Sequence, residues 1–401
     1  MRPEIIMVGL LALLAVAKWD LQASETNVLQ VQSELAADLP APYTPMVANQ
    51  RLNLHGWKRP ATSFKDISWP KNPGEAEICL WKDDKYAAAS ITIDDNWMPN
   101  HQWWLDICSN HDIRVTWFVV AGGMDGKNKR FNGTWQDYRK LVAAGHDVQS
   151  HTIEHFGPKD RAADEKYRQQ YAGSIKLIET NIPGHRCLAL AYPMGAGNHD
   201  IASEYFIAAR GTHGAPSSSF GMDYMNTSVG NGSEDAINSI LGRPVAGPKW
   251  MGNPAYRRGW IQPLYHGAHD MSKGAMPAAA ANKTRAQIEN LVKNRDLIWI
   301  DLYVKVAKYA QERDSATLRS ISSDSSTIQL ALTDLMRDDI FNQPLTIKVR
   351  LPDAWTTVKA IQGEAGIPAS FVMHDGKPFA LVEGIPDHGN ITITAHYYPG
   401  H

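Results

Sequence analysis

The sequence is poor in cysteine and has only three, Cys79, Cys108 and Cys187. Thiols that are so few and so widely spaced exclude a disulfide-stabilised scaffold and a cysteine-based metal site. Each cysteine lies among apolar residues, which favours buried free thiols over a pairing of Cys79 with Cys108 after export. Any site chemistry in this chain is therefore expected from other side chains.

The sequence also lacks an excess of charge of either sign. Its 40 Lys and Arg residues nearly balance 42 Asp and Glu residues, which gives a net charge of −2 at pH 7. Binding of DNA or RNA needs a basic surface, so this balance argues against nucleic acid as a partner. With 43% hydrophobic and 20% charged residues, the 401-residue chain is expected to be globular and long enough for two domains.

Beyond the N-terminus, the sequence has no apolar run long enough to span a bilayer. The run from Ile5 to Ala17 follows Arg2 and is shorter than the roughly 20 residues of a membrane-spanning helix. Its length fits the core of a signal peptide, with cleavage after Ala17 or Ala23. We therefore predict a signal peptide at 1–24 and a secreted, periplasmic or cell-surface protein, with an uncleaved N-terminal anchor as the alternative.

Strand-like and helix-like segments alternate between residues 86 and 313. Helical patterns are clearest at 135–145, 162–180 and 303–313. Repeated β-then-α units predict an α/β fold with parallel strands and crossover helices. The strand candidates are short apolar runs, and they fall at 86–93, 115–120, 146–151, 188–193, 206–211, 264–267 and 297–300.

The pattern changes after about residue 316. PLTIKVRLP at 344–352 and NITITAHYY at 390–398 alternate apolar and polar residues, as half-buried strands do. A hairpin-turn signal lies at Asp375-Gly376, so we predict a small C-terminal antiparallel β domain. The predicted divisions after residue 24 are an extension or linker at 25–75, a catalytic domain at 76–315 and a β-sandwich-like accessory domain at 316–401.

The stretch SITIDDNW, residues 90–97, ends an apolar strand on the adjacent aspartates Asp94 and Asp95. Neither has a basic neighbour. By contrast, lysines flank Asp83-Asp84, and we expect that pair in an exposed turn. The local sequence leaves open whether Asp94-Asp95 is functional or is a second solvated turn.

A second motif, GHDVQSHTIEHFGP at 145–158, carries His151 and His155 four positions apart. This spacing lets two imidazoles reach one metal ion from a helix or a tight loop. The alternatives are two unrelated loop histidines and an H-x-x-E-H metalloprotease motif with Glu154 as base. The protease motif needs a helix, whereas glycines and a proline bracket this stretch.

Together the two motifs can form one three-ligand set. Two neutral imidazoles and one carboxylate, with a fourth position open, are the arrangement of a catalytic zinc ion. Asp94 or Asp95 can supply the carboxylate, and the other aspartate is then free to act on water. Both motifs end strands, and such sites collect at the carboxyl ends of parallel strands. The sequence thus predicts a divalent metal, with Zn²⁺ preferred.

A family resemblance rests on four short motifs, IDDN at 93–96, GHDVQSHTIEH at 145–155, YPMG at 192–195 and LYH at 264–266. They make the chain resemble the polysaccharide deacetylase family, also called carbohydrate esterase family four, over roughly residues 86–313. The resemblance implies a distorted (β/α) barrel. It also implies a metal-dependent hydrolase whose substrate is an acetylated poly- or oligosaccharide, carrying either N-acetyl or O-acetyl groups.

The resemblance implies a metal set and an oxyanion site. Asp95, His151 and His155 would hold the metal. A backbone N–H near Met194 would help to bind the oxyanion, and Tyr192 or Met194 would face the substrate pocket.

The resemblance also implies two groups that move protons. Asp94 would be the general base that activates the attacking water, and His266 the general acid that protonates the leaving group. His269 is a rival for the acid. Asp301 and Asp223 are candidates to orient His266.

The chain departs from the family pattern in its third motif. The family usually has Arg-x-Pro-Tyr-Gly, and the aligned run here, residues 191–195, reads Ala-Tyr-Pro-Met-Gly. The arginine that would pair with the base is absent, with Arg210 and Arg186 as candidates to replace it. In the first motif, Asn96 replaces a glycine and tolerates a left-handed backbone. These departures leave a carbohydrate-binding pseudoenzyme as an alternative to the enzyme.

Overall fold

A computed structural model of the chain describes residues 69–124, 133–159, 161–219, 221–266 and 278–395. The signal peptide predicted at 1–24, most of the linker predicted at 25–75 and the rival acid His269 lie outside these residues. None of the helices within the described ranges is long and apolar enough to cross a membrane.

Short strands and helices alternate through the first part of the chain, and strands alone follow. The strands are β1 (Ala76–Ile78), β2 (Ala87–Ala89), β3 (Thr92–Asp94), β4 (Thr116–Val119), β5 (Asp147–Ser150), β6 (Ala189–Ala191), β7 (Ala208–Arg210), β8 (Trp260–Ile261), β9 (Leu264–Tyr265), β10 (Ile298–Ile300), β11 (Thr317–Ser323), β12 (Thr327–Thr333), β13 (Leu345–Arg350), β14 (Val358–Gln362), β15 (Ala365–Ile367), β16 (Ala369–His374), β17 (Lys377–Gly384) and β18 (Ile391–Ala395). The α-helices are α1 (His101–His111), α2 (Trp135–Ala143), α3 (Asp164–Asn181), α4 (His199–Ala202), α5 (Glu234–Leu241), α6 (Ala278–Lys293) and α7 (Tyr303–Ser315).

The parallel strands form a curled half-barrel. A six-stranded sheet has the order β7-β6-β5-β4-β3-β9, and a three-stranded sheet has the order β10-β2-β8. Every pairing in both sheets is parallel. The sheets are continuous in the chain, because β2 leads directly into β3 and β8 into β9. The predicted α/β class with parallel strands is confirmed.

Burial explains why these strands lack an alternating pattern. All residues of β3, β4, β5, β6 and β7 are buried, as expected where helices cover one face and the barrel interior the other. Capping residues and glycines in the local sequence set where the helices between these strands begin and end. For example, α2 begins with a capping box between Thr134 and Asp137. It is followed by Gly145, whose φ of +85° suits glycine.

A segment around Thr227 bridges the two edges of the curled sheet. Its N–H donates to the Ala209 carbonyl and its carbonyl accepts from the Gly211 N–H, both at 2.9 Å. Two residues later, the Val229 carbonyl accepts from the Gln262 N–H. This segment therefore links the outer edge of β7 to the β8–β9 side of the half-barrel.

The C-terminal part consists of two antiparallel sheets, which confirms the predicted antiparallel β domain. Their orders are β1-β13-β17-β16 and β11-β12-β18-β14-β15. Strand β1 lies in the range predicted as catalytic domain, 76–315, yet it pairs with β13 through Ala76 and Val349. Three residues carry too little pattern to reveal this partner, which lies more than 250 residues away.

The two parts share a packed core, and an acidic residue lies at their junction. One cluster of buried apolar side chains includes residues of both parts, among them Trp117 and Ile347. Asp83 is exposed as predicted, but Asp84 binds the buried ammonium group of Lys348 at 2.7 Å. The expectation of an exposed turn is thus wrong for Asp84, because its partner on β13 is invisible in the local sequence.

All three cysteines, Cys79, Cys108 and Cys187, are buried and free. Burial raises the pKa of the Cys108 thiol to about 12, so this thiol is protonated at neutral pH and unreactive. The prediction that the cysteines are buried free thiols is confirmed.

Candidate metal centre and its buried arginine

The carboxyl ends of β3 and β5 carry the acidic and histidine motifs to one place. Asp94 is the last residue of β3, and His151 directly follows β5. Asp95 and His155 have positive φ angles of 67° and 56°, which cost energy for residues with a side chain. Such backbone strain is typical of functional sites, where surrounding structure must enforce it.

Residues 151–155 form a turn, and the polar side chain of Gln170 holds it. Gln170 Oε1 accepts the N–H groups of Ile153 and Glu154 at 3.0 and 3.1 Å. The Glu154 carboxylate in turn accepts from Gln170 Nε2 at 2.9 Å and lies 3.4 Å from Lys166 Nζ. The helix that an H-x-x-E-H protease motif needs is therefore absent from this described segment.

Asp95, His151 and His155 can each offer a ligand atom, and these three atoms lie within 4.8 Å of one another. The Asp95 Oδ1 atom is 3.7 Å from His151 Nε2 and 3.6 Å from His155 Nε2. Tetrahedral Zn²⁺ with bonds of 2.0–2.1 Å requires ligand atoms about 3.3 Å apart. The two separations from Asp95 are close to this value and the third is no more than 4.8 Å, so the three residues fit a divalent cation.

A hydrogen bond orients the buried imidazole of His151. Its Nδ1 lies 2.8 Å from the Ala191 carbonyl oxygen, and a carbonyl accepts only from a protonated nitrogen. Nε2 is then left with its lone pair toward Asp95. A histidine that donates its other ring N–H to a carbonyl is the usual arrangement at metal sites. The third motif thus contributes to the centre through its backbone.

Asp94 has different surroundings from those of Asp95. Its side chain is 3% exposed, and both carboxylate oxygens accept from Arg210 Nη2. Burial alone would raise the pKa of Asp94, but the positive charge of Arg210, with smaller effects from His151 and His266, lowers it below its ordinary value. The adjacent aspartates are therefore chemically distinct, one facing the two imidazoles and one bound to arginine.

Arg210 replaces the arginine that the third motif lacks. It is fully buried, and its guanidinium lies 5.2 Å above the Phe118 ring. Ala191 and Arg210 are register partners on the parallel strands β6 and β7. The guanidinium therefore comes from the strand next to the third motif, at the same height in the sheet. Arg186, the other candidate, is 45% exposed and lies 3.6 Å from Glu179.

We expect the protein to tolerate in part an exchange of the residues at positions 191 and 210. Arg210→Ala removes the partner of Asp94, and adding Ala191→Arg should recover part of the lost stability, because neighbours in parallel register share one face of the sheet. Urea unfolding of the single and double variants measures this recovery. A double variant less stable than Arg210→Ala would show that position 191 cannot direct an arginine to Asp94.

Asn96 ties the end of β3 to the end of β4. Its Nδ2 donates to the Val120 carbonyl at 2.9 Å, and its Oδ1 accepts from the Val120 N–H at 3.0 Å. The side chain thus satisfies two backbone groups that a glycine would leave unpaired. The departure from glycine at this position has a structural reason.

His266 follows β9, which pairs with β3 through Tyr265 and Ile93. It is exposed at the rim of the sheet, on the side where Asp94 ends β3. The contacts described for the two candidate orienting residues lie elsewhere. Asp301 accepts from the Leu302 N–H and lies 3.5 Å from Lys305.

The second candidate, Asp223, accepts from the Met225 N–H at 2.9 Å. Among the described contacts, neither the Asp301 nor the Asp223 carboxylate therefore binds His266.

The two candidate substrate residues of the third motif differ in exposure. Tyr192 is 1% exposed, its hydroxyl donates to the Met225 carbonyl, and its ring stacks on His199. The ring therefore packs in the core, and a contact of Tyr192 with substrate stays a prediction. Met194 is 66% exposed and has a φ of 56°, so it lies at the surface of a tight turn.

Comparison with known sequences supports the family resemblance. The sequence model of the polysaccharide deacetylase family matches residues 82–206, so the predicted family is confirmed for a domain within that range. A curated relative, the gellan lyase of a Bacillus species, is 34% identical over 394 residues. The match covers 94% of this chain and 15% of the relative, so the chain spans about 15% of that protein's length.

Solved structures similar to this chain include a Streptococcus pyogenes deacetylase in complex with acetate. It is 18% identical, with 37% of this chain and 67% of that chain covered and a TM-score of 0.33. A putative polysaccharide deacetylase from Mycobacterium smegmatis is 16% identical, with 61% and 95% covered and a TM-score of 0.38. A family 4 acetyl xylan esterase from Clostridium thermocellum is 13% identical, with 55% and 89% covered and a TM-score of 0.34.

Proposed function

Because the chain carries a domain of the polysaccharide deacetylase family at residues 82–206, we propose that it is a metal-dependent hydrolase of acetylated carbohydrates. One observation carries the proposal. The arginine-bound carboxylate of Asp94 lies beside three residues that can hold a divalent cation, at the carboxyl ends of parallel strands. The reaction is hydrolysis of an acetyl amide or ester on a sugar, and the predicted signal peptide favours action outside the cytoplasm.

Asp95, His151 and His155 would hold the ion, with Zn²⁺ the preferred choice for this donor set. When bound, a divalent ion lowers the pKa of water and polarises the acetyl carbonyl. The chain itself supplies the fixed geometry, since the Ala191 carbonyl orients His151 and the strained turn orients His155.

Asp94 would accept the proton of the attacking water. Its lowered pKa keeps the carboxylate ionised at neutral pH, as a base must be. Arg210 holds both oxygens of this carboxylate and so fixes its orientation. His266, exposed across the sheet end, would donate a proton to the departing amine or alcohol. The N–H of Met194 would donate to the oxyanion, which is effective where donors are fixed beforehand.

The alternatives are weaker. The pseudoenzyme alternative arose from the missing arginine of the third motif, and Arg210 supplies that cation from β7. The protease alternative requires Glu154 beside the ion, whereas Gln170 and Lys166 bind its carboxylate. The relative named as a lyase of the polysaccharide gellan supports a polysaccharide substrate. Its lyase activity is not part of our proposal, because this chain corresponds to 15% of its length.

The proposal is tested by acetate release. We expect the purified protein to release acetate from at least one member of a panel of N- and O-acetylated oligosaccharides. Treatment with a chelator should abolish this release, and added Zn²⁺ should restore it. Absence of acetate from every substrate, despite stoichiometric metal, would overturn the enzyme assignment and leave the pseudoenzyme.

The metal ligands are tested separately by metal content. We expect His151→Ala, His155→Ala and Asp95→Ala to lower bound metal well below one equivalent, because each removes one of three ligands. The matched control is His388→Ala, at an exposed histidine of the C-terminal part, which should keep the wild-type metal content. Full metal occupancy in all three ligand variants would contradict the assignment.

A further inference from the structure

The turn that carries both histidines, residues 151–155, has an unfavourable backbone. Thr152 and His155 have positive φ angles of 67° and 56°, a region that residues with a side chain rarely adopt and that β-branched residues avoid. His151 is fixed by its own contacts, since its side chain is 2% exposed and bonds to the Ala191 carbonyl. The side chain of His155 is 39% exposed, so its position depends on the backbone of the turn.

The segment after β4 binds the carbonyl groups of this turn. The N–H groups of Ala121 and Gly122 donate to the carbonyl oxygens of Thr152 and Ile153, both at 2.9 Å. A Cβ atom at Gly122 would lie 2.7 Å from the Ile153 carbonyl oxygen, so this close approach requires glycine. The N–H groups of Ile153 and Glu154 face a different element.

Gln170 on α3 binds these two N–H groups, which belong to the residues directly before His155. Its side chain is buried, and its Oε1 accepts both, at 3.0 and 3.1 Å. Because two donors converge on one atom, that atom is the oxygen of the amide group. The amide nitrogen points away from the turn backbone and donates to the Glu154 carboxylate at 2.9 Å.

Glu154 therefore has a role that differs from that of a protease base. Its carboxylate is 42% exposed and lies 3.4 Å from Lys166 Nζ. An ionised carboxylate only accepts hydrogen bonds, so it binds the nitrogen of the Gln170 amide and not the oxygen. This contact keeps the amide in the orientation that presents Oε1 to the turn.

A glycine on the same helix also fits the turn. Gly173 is buried on α3, three residues after Gln170. A Cβ atom at Gly173 would overlap the Cδ1 atom of Ile153. Glycine weakens the interior of a helix, but at this position it leaves room for the turn. The face of α3 is thus shaped to hold residues 151–155.

We propose that Gln170, oriented by Glu154, is a positioning residue of the metal centre. It holds the backbone before His155 so that, in the metal-free protein, the imidazole already lies 3.6 Å from the Asp95 carboxylate. Without this amide the turn can leave its strained conformation, and the apparent metal affinity falls with the fraction of protein that is ready to bind. The inference rests on the metal set of the proposed function and is independent of the reaction.

The test measures the Zn²⁺ affinity of the metal-free protein by competition with a chromogenic chelator. Gln170→Leu keeps much of the side-chain volume but gives the turn no acceptor. It should weaken Zn²⁺ binding by roughly 10- to 100-fold, the usual effect of losing a partner behind a metal ligand. The matched control is Gln102→Leu, because Gln102 donates to Asp106 on the exposed side of α1. This control should keep the wild-type affinity.

An exchange of the two side chains provides the rescue. Glu154→Gln/Gln170→Glu keeps the net charge and places a carboxylate where it can accept both N–H groups of the turn, with an amide opposite to donate to it. This double variant should bind Zn²⁺ roughly three- to tenfold more tightly than Gln170→Leu. Binding no tighter than that of Gln170→Leu would overturn the inference.

Urea unfolding of the metal-free variants distinguishes positioning from stability. If Gln170 were merely structural, Gln170→Leu would lower the urea midpoint but leave the Zn²⁺ affinity of the folded protein unchanged, and the inference would be overturned. The titration uses no acetylated substrate. Weaker Zn²⁺ binding by Gln170→Leu therefore supports the inference even if no acetate is released, whereas equal affinity overturns it even if acetate is released. A wild type that binds no Zn²⁺ would overturn both the inference and the proposed metal set.

Discussion

Arg210→Met is expected to destabilise the metal-free protein by about 3–5 kcal/mol at neutral pH, because it leaves a buried carboxylate without its cation. Arg210 is fully buried and Asp94 is 3% exposed, so water cannot replace the lost partner. Methionine is flexible and fills much of the space of the arginine stem. The loss of unfolding free energy therefore comes mainly from the missing positive charge. Urea unfolding monitored by tryptophan fluorescence measures it.

A double-mutant cycle isolates the pair. Asp94→Asn removes the anion, so Arg210→Met/Asp94→Asn should be less destabilised than the sum of the single variants. The control is Arg186→Met, at a half-exposed arginine near Glu179, which should cost less than about 1 kcal/mol. Additive losses in the cycle would contradict a direct interaction of Arg210 with Asp94.

The pH dependence of this destabilisation has a defined sign. In the wild type the pKa of Asp94 is lowered, so its pairing contributes stability above the ordinary pKa of 3.8 and loses it as pH falls through the lowered value. In Arg210→Met the burial of the carboxyl group is no longer opposed by that cation, which favours the protonated form. The free-energy difference between wild type and variant should therefore narrow as pH falls from 7 toward the ordinary pKa of 3.8.

Asp94→Asn is expected to lower kcat/KM for acetate release by about 10²- to 10⁴-fold, the usual contribution of a general base. The amide keeps the shape of the side chain but cannot accept a proton. Because the predicted ligands are Asp95, His151 and His155, the variant should keep its metal. Acetate assays and metal analysis on the same preparation test both statements.

An exposed aspartate provides the control for this variant. Asp106 lies on α1 and bonds only with Gln102 in the described contacts, so Asp106→Asn should retain wild-type activity. Loss of metal in Asp94→Asn would reassign Asp94 as a ligand. Activity within tenfold of the wild type would remove it as the base.

The sequence predicts most of the centre because its signals are local. Asp94-Asp95 and the pair His151 and His155 each lie at the end of a buried strand, and parallel strands bring such ends together. The periodicity of the segments also predicts the α/β class and the antiparallel C-terminal part. These features depend on neighbours a few residues apart, which a single sequence displays.

The features that the sequence leaves open depend on contacts between distant residues. From the sequence, Arg210 is one of two candidates to replace the missing arginine of the third motif. The register of β6 and β7, which pairs Arg210 with Ala191, decides between them. The sequence does not show that the Tyr192 hydroxyl donates to the Met225 carbonyl and that its ring is buried. Asp84 resembles an exposed turn residue until Lys348 is placed beside it. In each case the deciding partner belongs to another element, and local chemistry does not identify it.

Strand β1 has a consequence for how the chain is made. It is synthesised before the half-barrel, yet its partner strand β13 emerges only after the half-barrel is complete, since Ala76 pairs with Val349. Contacts between such distant residues slow folding, because a long loop must close before they form. On the ribosome, the half-barrel can therefore fold before β1 has its partner strand. The edge of the C-terminal sheet that β1 forms is then among the last parts of the molecule to fold.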